Sequence, residues 1–257
     1  SAWFDVGLLE LTQITWESPA AILEKLIAYE AVHEIRSWDD LKNRLDSDRR
    51  CFAYFHPAMP HEPLIFVEVA LVPEMAANVH DILDADAPMG DVSAATTAIF
   101  YSISNAQKGL VGISFGNFLI KRVVELLKHD VPNLKKFATL SPIPGFGKWS
   151  TLTLDENAFE LTNTERKTLA QLVEGKTDGE LLKSALGRTN WFKDEQLSTA
   201  LKTPVSRMAA HYLHGERRPD GKAKDPVAHF HLSNGARMER LNWLGDTSKK
   251  GLAQAHG

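Results

Sequence analysis

A single cysteine, Cys51, stands in 257 residues, so no disulfide can form within the chain and the fold is compatible with a reducing compartment. Set in an apolar run, Cys51 reads as a core residue. No apolar stretch reaches the ~20 residues that a membrane-spanning helix needs. The most hydrophobic run, Leu64 to Val72, is interrupted by Glu68. Positive charge is not in excess either: a net charge of −4 and a pI near 6.2 lack the basic footprint of broad nucleic-acid binding. Neither a basic-then-apolar leader nor a terminal Ser-Lys-Leu occurs, and no internal repeat is visible. With 44% hydrophobic and 24% charged residues, the expectation is a soluble globular protein with a large core. Its expected place is the cytoplasm, mitochondrial or peroxisomal targeting staying open if the termini have been trimmed.

The stretch from Ala98 to Phe146 organises what is there. Ala98-Ile99-Phe100-Tyr101-Ser102-Ile103-Ser104 is apolar, rich in aromatic and β-branched residues, and predicts a buried strand. Phe115, Leu119, Val123 and Leu126 then recur at helical spacing, widened by Phe118, Ile120, Val124 and Leu127, which predicts a helix packed on a sheet. Between them runs Gly109-Leu110-Val111-Gly112-Ile113-Ser114-Phe115-Gly116-Asn117. Its glycines let a ligand approach the backbone, and a helix start presents unpaired N–H groups and a positive dipole end. That order suits a pyrophosphate, although glycines that merely relieve a tight connection give the same pattern.

In chain order, Leu8 to Thr15 predicts a short strand. Ser18-Pro19 opens a helix through about Val32, and Ser37-Trp38-Asp39-Asp40 caps a short helix over Leu41 to Leu45. Cys51–Phe55 and Leu64–Leu71 predict a hairpin joined through Pro57, Pro60 and Pro63, with the Ala98 strand as a central neighbour. Pro73 to Val92 is a connection with a helical turn or two, and its acids Asp81, Asp84, Asp86 and Asp91 show no liganding pattern. From about 155 to 213 the chain turns polar and helix-forming, with starts at Thr162-Asn163-Thr164-Glu165, Asp178, Lys193-Asp194 and Thr203-Pro204. This predicts a helical insertion of three or four helices. Gly215 to Asp225 is a charged loop with Arg217, Arg218, Lys222 and Lys224, read as solvated or as contacting phosphate. Ala228-His229-Phe230-His231-Leu232 and Met238 to Leu244 then predict two strands about an Asn234-Gly235 turn.

Two groups of side chains are candidates for chemistry. Ser141 ends the run Phe137-Ala138-Thr139-Leu140 and precedes Pro142-Ile143-Pro144-Gly145-Phe146, so its backbone is tightly restricted. A serine in such a turn serves either as a turn former or as a rigidly held reacting group. On the predicted strand His229 and His231 share one face, and His211 and His214 form an i, i+3 pair on a helix. Four histidines in a short span make a zinc hydrolase an alternative, against which stand the absence of His-Glu-x-x-His and of a nearby cysteine. Ser141 lies in no Gly-x-Ser-x-Gly elbow, so the pattern does not specify an acyl-enzyme hydrolase.

These motifs resemble the malonyl-CoA decarboxylase family. The resemblance rests on Ala98–Ser104, Phe118-Leu119-Ile120-Lys121-Arg122-Val123-Val124, Leu140–Phe146, Asn234-Gly235-Ala236 and Asn242-Trp243, in the same order, and covers Trp3-Phe4 to Gly257. It implies a mixed α/β sheet flanked by helices, similar to GNAT acyltransferases, with CoA pyrophosphate bound over Val111, Gly112, Ile113, Ser114, Phe115, Gly116 and Asn117. In the GNAT pattern Gln/Arg-x-x-Gly-x-Gly/Ala, only the last glycine, Gly116, matches here, so backbone N–H groups carry the expected site. The resemblance assigns catalysis to Ser141 and His231, expected to converge at the open ends of two strands, and needs neither a metal nor an organic cofactor. It implies malonyl-CoA as substrate and acetyl-CoA as product, with no nucleic-acid or membrane partner. A GNAT-like acyltransferase and a non-catalytic acyl-CoA sensor are the competing functions. The family's N-terminal helical domain is missing from these 257 residues, so the whole is expected as one GNAT-like domain, 1–257. Homo-oligomers are expected of a full-length protein and weaker self-association of this stretch.

Overall fold

The computed structural model describes residues 6–46, 48–106 and 115–257. The chain divides into two compact units, one ending at Ser141 and one running from Pro142 to Gly257.

The first unit is a five-stranded mixed sheet with helices. Its strands β1 (Glu10–Ile14), β2 (Arg49–His56), β3 (Met59–Val72), β4 (Thr97–Asn105) and β5 (Lys136–Thr139) lie side by side in that order. The first four pair antiparallel, and β5 pairs parallel to β4 after a crossover through the helix α4 (Phe115–Asp130). Period-two alternation divides the strands between two faces. Phe52, Tyr54, Val67, Val69 and Phe100 bury themselves with Leu119, Val123 and Leu127 of α4, whereas Leu126 and Phe118, also placed on the expected apolar stripe, are exposed. Cys51, Ala53, Phe55 and Phe66 bury themselves with Ile22, Leu23 and Leu26 of α1 (Ala20–Tyr29) and Leu41 of α2 (Trp38–Asn43). A short α3 (His80–Leu83) covers Ala70 and Ile99 through Ile82.

The strands expected from the first half of the sequence all form, and the hairpin is tighter than expected because β2 and β3 extend to Pro57 and Ala58. Register breaks at Tyr54/Phe55 and Phe55/His56 accommodate Pro60 and Pro63 at the start of β3. The Ser37 hydroxyl accepts the Asp40 N–H and caps α2 as read from the sequence. Helix α1 begins one residue later than foreseen, with Pro19 as the cap residue, and ends at Tyr29 rather than near Val32. Its early end has a physical cause. One Glu30 oxygen accepts the Val32 and His33 N–H groups at 2.8 Å, which turns the chain out of the helix. The same carboxylate takes hydroxyl hydrogen bonds from Ser102 at 2.7 Å and Ser104 at 3.1 Å, tying the end of α1 to β4.

A buried ion network lies beside this tie. Arg44, 2% exposed, donates to Asp40 at 2.8 Å, to Glu68 at 3.2 Å and to the carbonyls of His33 and Glu34. Burial opposes the charge on Arg44, but Glu68 and Asp40 outweigh it and hold the guanidinium ionised. Burial pushes Glu68 up to about 8, with Glu30 adding to the shift and Arg44 opposing it.

The second unit is helical: α5 (Phe146–Asp155), α6 (Asn163–Leu172), α7 (Asp178–Leu186), α8 (Glu195–His214), α9 (Pro226–Ser233) and α10 (Lys249–Ala255). Its core gathers Phe146, Leu154, Leu169, Leu181, Leu182, Trp191, Leu201, Val205, Met208 and Tyr212. Thr162 and Glu165 close a reciprocal capping box on α6, and Thr177 and Asp194 cap α7 and α8. Thr203-Pro204 does not start a helix. Pro204 sits inside α8, where Leu201, Val205 and Met208 bury the helix on both sides of it and outweigh the lost backbone hydrogen bond.

Because Glu68 binds its proton more tightly folded than unfolded, stability is highest below the ordinary glutamate range and falls as pH rises through about 8. Glu68→Gln is expected to remove this dependence. Between pH 5.5 and 8.5 the unfolding free energy from urea titration should fall more for the parent than for the variant, by up to roughly 1.4 kcal/mol per pH unit. Parallel curves would show that Glu68 does not titrate in this window.

Candidate active site

His231 lies on helix α9, not on a strand. The alternation of Ala228 to Leu232 fits either period over five residues, and the local signals at its start decide for the helix. Asp225 accepts the Val227 and Ala228 N–H groups at 3.0 Å, and Pro226, without an N–H and with φ preset, occupies the first turn. Asn234-Gly235 ends this helix instead of joining two strands, with Gly235 at φ +85°. No strand forms over Met238 to Leu244, where Trp243 packs against Trp191 at 5.7 Å. The expectation of two converging strand ends is therefore corrected at His231.

The change of period separates the two histidines. Residues two apart on a helix are turned by about 200°, so His229 and His231 no longer share a face. His229 lines an open cavity of about 300 Å³ with Arg217, Lys222, Ala223, Leu232 and Ser233. Two cations beside His229 make that cavity unfavourable for a divalent metal ion. His211 stacks on Trp149 at 5.9 Å, a packing role. Among the described residues, no three His, Cys, Asp or Glu side chains are arranged to hold a metal. His231 is half-buried, with Phe230 edge-on to its ring at 5.0 Å. Burial lowers its pKa, so its imidazolium, once formed, is a stronger acid than in water.

Ser141 is an exposed residue just after β5, at the end of the first unit. Of the expected CoA turn, Val111, Gly112, Ile113 and Ser114 lie outside the described residues, and Phe115, Gly116 and Asn117 form the first turn of α4. The strand β4 before this segment and the helix α4 after it are the expected ones.

Asp225 was not read from the sequence as a functional residue, although Asp-Pro before an apolar run is a helix-start signal. It is 1% exposed. While its Oδ1 caps α9, its Oδ2 accepts the Gly145 N–H at 3.1 Å and lies 3.5 Å from the Tyr212 hydroxyl. Burial and the Asp225 charge push the Tyr212 phenol up to about 12. One carboxylate thus joins the start of α9, the turn before α5 and the end of α8. The approach is close enough that a Cβ on Gly145 would collide with the Tyr212 hydroxyl and lie 3.3 Å from Asp225 Oδ2.

A second serine–histidine contact also escaped the sequence reading, because its members are 106 positions apart. Ser150 is fully buried and its Oγ lies 2.8 Å from His256 Nε2. The Ser150 hydroxyl donates to the Gly147 carbonyl at 2.9 Å, so it accepts from His256. A serine whose proton is held by a carbonyl is not activated by the imidazole, and the pair acts as a clip between α5 and the end of α10.

These features define a two-unit α/β protein that carries a serine turn and a capped histidine helix. The chain belongs to the malonyl-CoA decarboxylase family: the profile of the malonyl-CoA decarboxylase C-terminal domain matches residues 7–257. It is 45% identical over 265 residues to the mitochondrial malonyl-CoA decarboxylase of Anser anser anser, covering 100% of this chain and 52% of that protein. The corresponding protein of Rattus norvegicus is 42% identical, with 100% and 54% covered. The crystal structure of malonyl-CoA decarboxylase from Agrobacterium vitis superposes with a TM-score of 0.88 at 49% identity, covering 100% of this chain and 60% of that one. For the Rhodopseudomonas palustris structure the TM-score is 0.85 at 48% identity, with 99% and 59% covered. The chain spans about half the length of the curated relatives it matches.

Gly145→Ala is expected to destabilise the second unit by about 1–3 kcal/mol through overpacking against Tyr212. Adding Tyr212→Phe, which removes the colliding hydroxyl, should recover part of the loss in denaturant unfolding. If Gly145→Ala leaves the midpoint unchanged, the close packing of this turn is wrong.

Proposed function

We propose that this chain is the catalytic part of an enzyme that decarboxylates malonyl-CoA to acetyl-CoA and CO₂. The observation that carries this reading is the match of the whole chain, at 42–49% identity, to proteins named malonyl-CoA decarboxylase. The reaction breaks the bond between the malonyl carboxylate and C2. Its electron pair passes into the thioester as an enolate, and C2 then takes a proton. His231 supplies this proton, its acidity raised by burial. Ser141 hydrogen-bonds the malonyl group or relays the proton, its backbone restrained by Pro142. CoA enters as part of the substrate, its pyrophosphate bound by backbone N–H groups of the turn before α4 and the start of that helix.

Product analysis with malonyl-CoA tests the reaction and separates its competitors. Acetyl-CoA formed without an acceptor supports the decarboxylase, acceptor-dependent release of CoA indicates an acyltransferase, and binding without turnover indicates a sensor. Ser141→Ala and His231→Asn are each expected to lower kcat by about 100-fold or more with little change in KM. Combined, they should cost little beyond the worse single change. Additive losses would separate the two roles. Near-normal turnover in His231→Asn, or loss of activity on chelation together with loss in His229→Ala, would favour a metal site instead.

The CoA turn has its own test. Gly116→Glu places a bulky negative charge at the start of α4 and is expected to weaken CoA binding at least 10-fold in a folded protein. Unchanged affinity in calorimetry would place the pyrophosphate elsewhere.

A further inference from the structure

Helix α9 is poorly held by its own packing. It has eight residues and none is fully buried. A helix this short is marginal without outside support, and here an alternating apolar pattern provides no wide apolar face. What fixes its start is the buried carboxylate of Asp225, whose Oδ1 accepts the Val227 and Ala228 N–H groups while Oδ2 accepts the Gly145 N–H at 3.1 Å. Gly145 belongs to the turn that follows Ser141 in sequence by four positions. An ordinary helix cap would need only the first oxygen.

We propose that Asp225 is a positioning residue for His231, anchoring the start of α9 to the Gly145 turn so that the imidazole is presented in one fixed place. This rests on the reading of His231 as the proton donor. His231 lies six positions after Asp225 on the helix that the carboxylate starts. A helix free to fray or slide at its first turn would carry the ring with it, and misplacement of a reacting group by about 1 Å is enough to lower turnover 100-fold.

Cap and anchor can be separated by substitution in the full-length protein. Asp225→Asn and Asp225→Ser keep an oxygen for the Val227 and Ala228 N–H groups but lose the acceptor for Gly145, since the Asn amide is a donor on that side and Ser has no second atom there. Asp225→Ala loses both. With malonyl-CoA, Asn and Ser variants are expected to lose 10- to 100-fold in kcat with KM within about 3-fold. The same substitutions at Asp194, which caps α8 through Gln196 and Leu197 alone, should stay within about 2-fold. Amide exchange measures the anchor without reference to activity: Gly145 should exchange faster in Asp225→Asn while Val227 and Ala228 stay protected. Normal kcat in both cap-competent variants, or unchanged Gly145 exchange, would overturn the proposal. His231→Asn, measured alongside, separates the two readings: if it retains turnover, His231 is not the donor, whereas a normal Asp225→Asn beside an inactive His231→Asn removes only the positioning role.

Discussion

Acidic groups taken out of water have to be satisfied, and in this protein three acidic side chains under that constraint set the local geometry. Glu30 ends α1 and gathers two backbone N–H groups and two serine hydroxyls of β4. Glu68, 1% exposed, draws Arg44 inward and with it the carbonyls of the segment after α1. Asp225 collects the first turn of α9, the Gly145 turn and the neighbourhood of Tyr212. Replacing Glu30 or Asp225 by an apolar residue would leave several donors unpaired, and replacing Glu68 would leave the buried Arg44 without one of its acceptors. Each therefore specifies which pieces of chain meet, a role that hydrophobic burial, being non-directional, cannot fill.

The strand β4 shows how this constraint and the apolar core divide the work. Phe100 packs toward α4. Ser102 and Ser104, fully buried and polar, serve the Glu30 carboxylate. The strand from which the proposed CoA turn leaves is thus held by packing along its middle and by hydrogen bonds toward its end. A phosphate-binding backbone has to be fixed in advance to be useful, because N–H groups that must reorganise around an anion lose much of their advantage.

The first half of the fold was legible because it follows strong local rules. Short apolar runs marked β1 to β4, a wide period-3.6 stripe marked α4, and Ser37, Thr162 and Asp194 announced helix starts that the structure confirms. Where the reading failed, two signals competed over a short span. Ala228 to Leu232 alternates like a strand, yet Asp225 and Pro226 start a helix, and five residues of alternation are too few to outweigh a buried cap. At Thr203-Pro204 a start signal lost to a core that buries α8 on both sides. The Gly145–Asp225 and Ser150–His256 contacts join residues 80 and 106 positions apart and follow from the fold, not from any local pattern.

The helical state of α9 also bears on what chemistry a histidine here can do. On a strand, His229 and His231 would point the same way, and a pair of imidazoles on one face invites a shared metal ion or a shared proton. On the helix they part company: His229 faces a cavity with Arg217 and Lys222, while His231 is half-buried and burial lowers its pKa. A group tuned by desolvation keeps its acidity as long as its place in the fold is kept, so the position of the helix and the acidity of its histidine are coupled.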